Sequence, residues 1–257
     1  MISIEGAKEM KFEDKVALIT GGASGIGYCT VKSMAELGAD VLIADINVEA
    51  GEKAATELKA KGLKAEFVRL DVTDKANIAR VKEHVLATRG RLDILCNVAG
   101  WGHIQPFVDN DDAFIAKVMS LNLTGPIELI RAFFPLMIEK KTGKIVNVAS
   151  DAGRVGSLGE SVYSAAKGGL ISFSKALARE GARYNINVNA ICPGPTDTPL
   201  LKSEPEKFLE AFLKVIPMRR FGQPQEVADS IVFMASNRAD YITGQVLSVN
   251  GGITMVG

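Results

Sequence analysis

From Val16 onward the chain alternates short runs that are apolar at nearly every position with longer segments that are apolar at helical spacing. A strand with one wet face shows apolar residues only at alternate positions, so a run without that alternation must be covered on both sides. Val16–Thr20, Val41–Ala44, Ala65–Leu70, Leu92–Cys96, Lys144–Val148, Asn187–Cys192 and Gln245–Val249 read as strands. Ile26–Leu37, Val48–Ala60, Lys75–Thr88, Asp112–Ile138, Val162–Arg183, Pro205–Val215 and Pro224–Ala235 read as helices. Gly38 and Gly62 are placed to end the first two, Asp74 to cap the third, and Gly125-Pro126 to bend the fourth. Strict alternation of this kind predicts an α/β fold, a single doubly wound parallel sheet with helices on both faces. No linker or repeat breaks it. The expected organisation is an N-terminal arm over 1–11 and one domain over 12–257.

Composition excludes several classes. The 257 residues are 47% hydrophobic and 23% charged, with a formal net charge of zero. That balance suits a globular protein and gives no basic excess for nucleic acid. No apolar run reaches the length of a membrane span. Met1–Phe12 mixes charges with isolated apolar residues, unlike a signal peptide. The expectation is a soluble, cytoplasmic protein. Cys29, Cys96 and Cys192 are far apart and lack metal-ligand spacing, and His84 and His103 have no evident relation to them. They read as reduced core thiols, with no metal site.

In a doubly wound sheet, ligands bind beyond the carboxyl ends of the strands. Gly21–Gly27, Asp45, Asp71, Asn97, Ser150 and Pro193-Gly194 each follow a predicted strand, so all share that rim. The first turn, Thr20-Gly-Gly-Ala-Ser-Gly-Ile-Gly27, has a G-x-x-x-G-x-G spacing. Glycines there let backbone approach a pyrophosphate at the positive end of a helix, in the Rossmann-like manner. Asp45 can accept hydrogen bonds from ribose hydroxyls and would repel an added phosphate. No Arg or Lys stands at Ala23, Ser24, Ile46 or Asn47. These features favour NAD over NADP as cofactor. Asp71 and Asn97-Val98-Ala99-Gly100 are either further cofactor contacts or plain turn chemistry.

Tyr163 and Lys167 stand at i and i+4, on one helix face, after Ser150 in the chain. A phenol titrates near pH 10, and a close ammonium favours its phenolate, a usable general base. A base beside a dinucleotide is what an alcohol dehydrogenase needs.

Together these residues make the chain similar to the short-chain dehydrogenases/reductases over about residues 12 to 252. The motifs are Thr20-Gly-x-x-x-Gly25-x-Gly27, Asp71-Val72, Asn97-x-Ala-Gly100, Asn122, Ser150, Tyr163-x-x-x-Lys167 and Pro193-Gly194. Val98 departs from the pattern, where many members carry a second Asn. The resemblance implies Tyr163 as acid/base, Ser150 as the group holding the substrate oxygen, and Lys167 as a ribose ligand that lowers the tyrosine pKa. It implies that Asn122 holds a relay water. Asp71 and Val72 would contact adenine and Asn97 the adenosine ribose, while Ile191 and Thr196 would fix the carboxamide. It extends the cofactor contacts to Gly21, Ser24, Ile26, Ala99, Gly100, Pro193, Gly194 and Thr198. It also implies a homotetramer. The segments Ser150–Gly156 and Pro193–Thr198 resemble members acting on alicyclic hydroxy acids or their CoA thioesters. On that resemblance Arg154 either meets a substrate carboxylate or phosphate, or pairs with Asp151 or Glu160. Residues 198–216 read as a substrate lid or as a surface helix. Three rival functions remain open: a 3-oxoacyl-[acyl-carrier-protein] reductase, against which Asp45 argues; a sugar or polyol dehydrogenase; and a non-catalytic dinucleotide sensor.

Overall fold

The structure, a computed structural model, describes residues 10–256. The expected N-terminal arm therefore lies mostly outside the described residues. In chain order the elements are β1 (Val16–Thr20), α1 (Gly25–Glu36), β2 (Asp40–Asp45), α2 (Val48–Ala60), β3 (Ala65–Arg69), α3 (Lys75–Arg89) and β4 (Ile94–Asn97). There follow α4 (Asp112–Met119), α5 (Gly125–Lys140), β5 (Gly143–Val148), α6 (Ala152–Val155), α7 (Ser161–Gly181) and β6 (Ile186–Pro193). The chain ends with α8 (Pro199–Lys202), α9 (Glu206–Val215), α10 (Pro224–Ala235) and β7 (Val246–Val249). The short helices α6 and α8 are absent from the sequence reading. At four residues each they are too brief to leave a periodic signal.

All seven strands pair in parallel, in the order β3-β2-β1-β4-β5-β6-β7. Successive residues of a strand point to opposite faces. Thus Ile19, Ile43 and Cys96 join one core with Val31, Leu58 and Ile231, from α1, α2 and α10. Leu18, Leu42 and Leu95 join the other with Val81, Phe133 and Leu177, from α3, α5 and α7. Each of these strand residues is fully buried, and each such side chain contributes about 1.5–3 kcal/mol. Burial on both faces is why the runs show no alternation.

The long helical stretch is irregular where the sequence predicted a bend. A wider π turn, Ser120–Thr124, joins α4 to α5. Pro126 has no N–H to offer the carbonyl of Asn122 four residues back, so an ordinary helical turn cannot close there. Asp112–Lys140 is long and apolar enough, with a mean hydropathy of 1.3 over its most apolar window, to cross a membrane by length and composition alone. This departs from the sequence expectation that no such run exists. One side of it is core all the same: Val118, Leu129, Phe133 and Met137 are fully buried.

The sheet order places β1 between β2 and β4, so the connections leaving β1 and β4 diverge and open a crevice at their carboxyl ends. The Thr20 hydroxyl accepts from the backbone N–H of Val98 and of Ala99, both at 3.0 Å, and so pins the β4 turn to the glycine turn. Gly27 is pressed against that turn, since an added Cβ would stand 2.0 Å from the Gly21 carbonyl oxygen. Gly62 differs: its φ is +76° but nothing lies within 4 Å. Ala at Gly62 should cost only backbone strain, about 1 kcal/mol. Ala at Gly27 must displace backbone, at about 3 kcal/mol or more. Thermal melts should show Tm falling by about 3 °C for Gly62→Ala and about 10 °C for Gly27→Ala. Equal losses would contradict this account of the turn.

Candidate active site

The site is assembled at the strand ends. Ser150 lies two residues beyond β5, and its Oγ accepts from the N–H of Ala152 at 3.1 Å as α6 begins. Tyr163 and Lys167 come from the first two turns of α7, and Tyr163 lines the same cleft as Ser150, near enough for the serine hydroxyl to favour its phenolate. Chain at Gly102 crosses the tyrosine ring so closely that a Cβ there would be 3.0 Å from Cδ2. Lys167 is buried, its ammonium donating to the Val148 carbonyl at 2.8 Å and lying 5.6 Å from the Tyr163 ring centroid. Asn122, in the π turn, donates through Nδ2 to the carbonyls of Trp101 (2.6 Å) and Val118 (2.9 Å). Its Oδ1 accepts from Trp101 N–H at 3.2 Å. Gly100 completes the group, for a Cβ there would meet Asn122 Oδ1 at 2.9 Å and Lys167 Nζ at 3.2 Å.

Burial governs the electrostatics. It pushes the Tyr163 phenol well above its ordinary value; Glu160 adds to that, and the nearby Ser150 hydroxyl opposes it. It pushes the Lys167 ammonium down to about 8. The sequence reading had the ammonium lowering the phenol. In the folded chain the ammonium is turned to Val148, and desolvation penalises the charged form of both groups. Burial thus favours the neutral phenol at Tyr163.

Across the crevice, Gly21 and Gly25 take φ of +63° and +51°. Ser24 caps α1 without a side-chain bond, and the first turn carries no acid, so its N–H groups are open to an anion. Asp45 is fastened to this turn: Oδ2 accepts from Ala23 N–H at 3.1 Å and Oδ1 from Asn47 N–H at 2.9 Å. Thr198 packs against Gly25, whose added Cβ would be 3.4 Å from its Cγ2. Asp71 holds its own turn, Oδ1 accepting from the N–H and hydroxyl of Thr73. These backbone cradles and the uncapped helix start fit a nicotinamide dinucleotide.

Ile26, Gly100, Ser150, Tyr163, Lys167, Pro193, Gly194, Thr196 and Thr198 all line one cleft of about 280 Å³. Four expected residues stand elsewhere. Asn97 is buried in the sheet, donating to Asn147 Oδ1 at 2.7 Å, and its own Oδ1 has no partner, so its side chain is not a ribose ligand on the rim. Val72 is a core side chain packed beside Gly125, and Ile191 is fully buried. Both alternate inward, where apolar groups belong. Arg154 points away from the cleft and also from Glu160. It donates to Ser248 Oγ at 2.9 Å and the Val256 carbonyl at 3.2 Å, and Ser248 in turn bonds Asp151.

Other residues escaped the sequence. Arg69 is exposed and stands in register beside Asp45 on β3. Glu160 and Glu204 line the cleft. Only sheet register and the fold-back of the α8–α9 segment place them there, and neither leaves a local signal. Cys96 and Cys192 are buried, and burial pushes the Cys192 thiol up to about 12, as befits an unreactive core thiol. Cys29 is partly exposed.

A family model described as Enoyl-(Acyl carrier protein) reductase matches residues 21–254. A 3-oxoacyl-[acyl-carrier-protein] reductase of Thermotoga maritima is 40% identical over 246 residues, covering 96% of this chain and all of that protein. An uncharacterized oxidoreductase of Bacillus subtilis is 37% identical, covering 93% of this chain and 98% of its own. The crystal structure of gox2181 superposes with a TM-score of 0.91 at 33% identity, over 95% of this chain and 96% of that one.

The tail contacts of Arg154 make a prediction. Arg154→Ala should lower Tm by about 2–4 °C through loss of one tethered segment, while KM for acidic and neutral alcohols changes by the same small factor. A selective rise in KM for acidic substrates would return Arg154 to the cleft.

Proposed function

We propose that this chain, which belongs to the short-chain dehydrogenase/reductase family, interconverts a secondary alcohol and a ketone with NAD. The observation that carries the reading is that Ser150, Tyr163 and Lys167 line one cleft that also reaches the glycine turn through Ile26. A bound nicotinamide ring supplies the hydride acceptor or donor. Ser150 orients the substrate oxygen toward the phenol. Tyr163 gives a proton to that oxygen in reduction and takes one in oxidation. Lys167 brings the cation that the phenolate needs and offers it to a ribose hydroxyl. Both amide hydrogens of Asn122 are spent on backbone, so its backbone carbonyl, to which Pro126 can offer no N–H, is the group we assign to hold a relay water. Pro193, Gly194, Thr196 and Thr198 would border the nicotinamide, and Asp71 the adenine. The α8–α9 segment, with Leu200, Leu201 and Phe212 in the cleft wall, would act as its lid.

The preference for NAD rests on Asp45. Its tie to Ala23 keeps a carboxylate beside the glycine turn, which supports NAD because that charge would repel an added phosphate. Arg69, in register beside it, is a described residue that could offset such a charge. A second reading, 3-oxoacyl-[acyl-carrier-protein] reduction, is favoured by the name of the Thermotoga maritima relative. The alicyclic hydroxy-acid reading loses its counter-ion, because Arg154 faces the tail. The working protein would be a cytoplasmic homotetramer. Free thiols suit that compartment, and the apolar window of Asp112–Lys140, only 33% buried, suits burial against another copy.

Two measurements check this. Tyr163→Phe should retain NAD binding and lose turnover by about 10²–10⁴-fold; survival of most activity would reject the assignment. The ratio of kcat/KM with NAD to that with NADP should exceed one and fall by about tenfold in Asp45→Ser, equivalent to about 1.4 kcal/mol. Equal efficiency of the native protein with both cofactors would remove the argument from Asp45.

A further inference from the structure

Three carboxylates line the cleft with Ser150 and Tyr163; Asp151 is taken up by Ser248 and Asn250, which leaves Glu160 and Glu204. Glu160 precedes α7, and its backbone N–H donates to the Ser157 carbonyl at 3.1 Å. Glu204 sits between α8 and α9 with its side chain only 8% exposed. Its Oε2 accepts from Ile104 N–H at 3.4 Å, and its Oε1 is 3.3 Å from Nδ1 of the half-exposed His103. The acids are near enough to act on one another, since Glu204 helps to hold Glu160 toward its neutral form, and Glu160 bears on Tyr163 in the same way. Among the described residues lining the cleft the only cation is Lys167, and its ammonium is given to Val148. Much of the remaining wall is apolar, from Ile104, Val155, Leu200 and Phe212.

Sheltering Glu160 and Glu204 in a wall with a large apolar share costs free energy that hydrogen-bonding partners must offset. A substrate carboxylate or phosphate placed beside Glu160 and Glu204 would meet like charge, with Lys167 the one cation among the described lining residues. Hydroxyl groups would find acceptors, and a substrate lacking them would leave those acceptors dry and unpaired. We propose that Glu160 and Glu204 select a polyhydroxylated substrate, binding hydroxyls on carbons beyond the reacting carbinol. This deepens the secondary-alcohol reading and rests on it. Hydroxyls suit the pair better than an ammonium does, because Glu160 is held toward its neutral form and Glu204 already has His103.

The test compares ribitol, pentan-2-ol, 5-aminopentan-2-ol and 4-hydroxypentanoate, with the better of NAD and NADP, in the native protein and in Glu160→Ala, Glu204→Ala, Glu160→Gln and Glu204→Gln. Ribitol should exceed pentan-2-ol in kcat/KM by about tenfold or more, mainly through KM, with 4-hydroxypentanoate the poorest. The Ala variants should collapse the ribitol-to-pentanol ratio, and the Gln variants, which still hydrogen-bond, should keep most of it. Pentan-2-ol or 4-hydroxypentanoate used as well as ribitol, or a ratio unmoved in the Ala variants, would overturn the proposal. So would preference for the amino alcohol that the Gln variants abolish, because charge would then be what is read. Calorimetric titration of ribitol into the cofactor-loaded native protein separates the two readings. Binding that the Ala variants lose, with no alcohol turned over, would defeat the alcohol–ketone reading alone. Turnover of pentan-2-ol with no ribitol binding would defeat this inference alone.

Discussion

β1 is hydrogen-bonded on both edges, to β2 and to β4, and all its neighbours run the same way. Parallel pairing obliges every connection to cross back over a face of the sheet, so the strand ends that carry the glycine turn, Asp45, Ser150 and Pro193-Gly194 all open on one rim. The crevice lies where the connections of β1 and β4 part company. The Thr20 hydroxyl holds its two sides in register through Val98 and Ala99. Gly21 and Gly27 allow the backbone to close up behind it, with no room for a side chain. Everything chemical in the molecule is mounted on that frame.

Desolvation sets the character of the groups mounted there. Tyr163 and Lys167 lie one helical turn apart, the spacing at which opposite charges support each other on an exposed helix. Below the surface the balance is different. The phenol rises and the ammonium falls, because each is more expensive to charge away from water than its neighbour can repay. The ammonium finds the Val148 carbonyl instead. Such a pair is primed as a neutral donor beside a suppressed cation, and it needs additional positive charge to run toward the phenolate. Glu160 pushes in the same direction as burial, so the cleft acids and the phenol belong to one electrostatic system.

Much of this was legible in the residues. The helix Pro224–Ala235 and the helix Val48–Ala60 have the bounds that their apolar spacing predicts, and Asp74 caps α3 through the N–H groups of Ala76 and Asn77. The rim residues follow their strands because strand length and glycine placement are local properties. Less legible were the residues whose meaning depends on orientation. Asn97, Val72 and Ile191 occupy motif positions, yet their side chains turn into the sheet or the core. A motif fixes where the backbone passes; the pleat and the packing decide which way the side chain points.

The sequence alone determined the class of fold, and it marked the glycine turn and the candidate set Ser150, Tyr163 and Lys167, because each is written in near neighbours: period, turn chemistry and a one-turn spacing. Only the tertiary structure decided that Arg154 reaches the tail, that Arg69 stands beside Asp45, and that Glu160 and Glu204 share a cleft although 44 positions separate them (204 less 160). Those partnerships join segments distant in the chain, and which segments meet is settled by the sheet order and by the way α8 and α9 fold back over the rim.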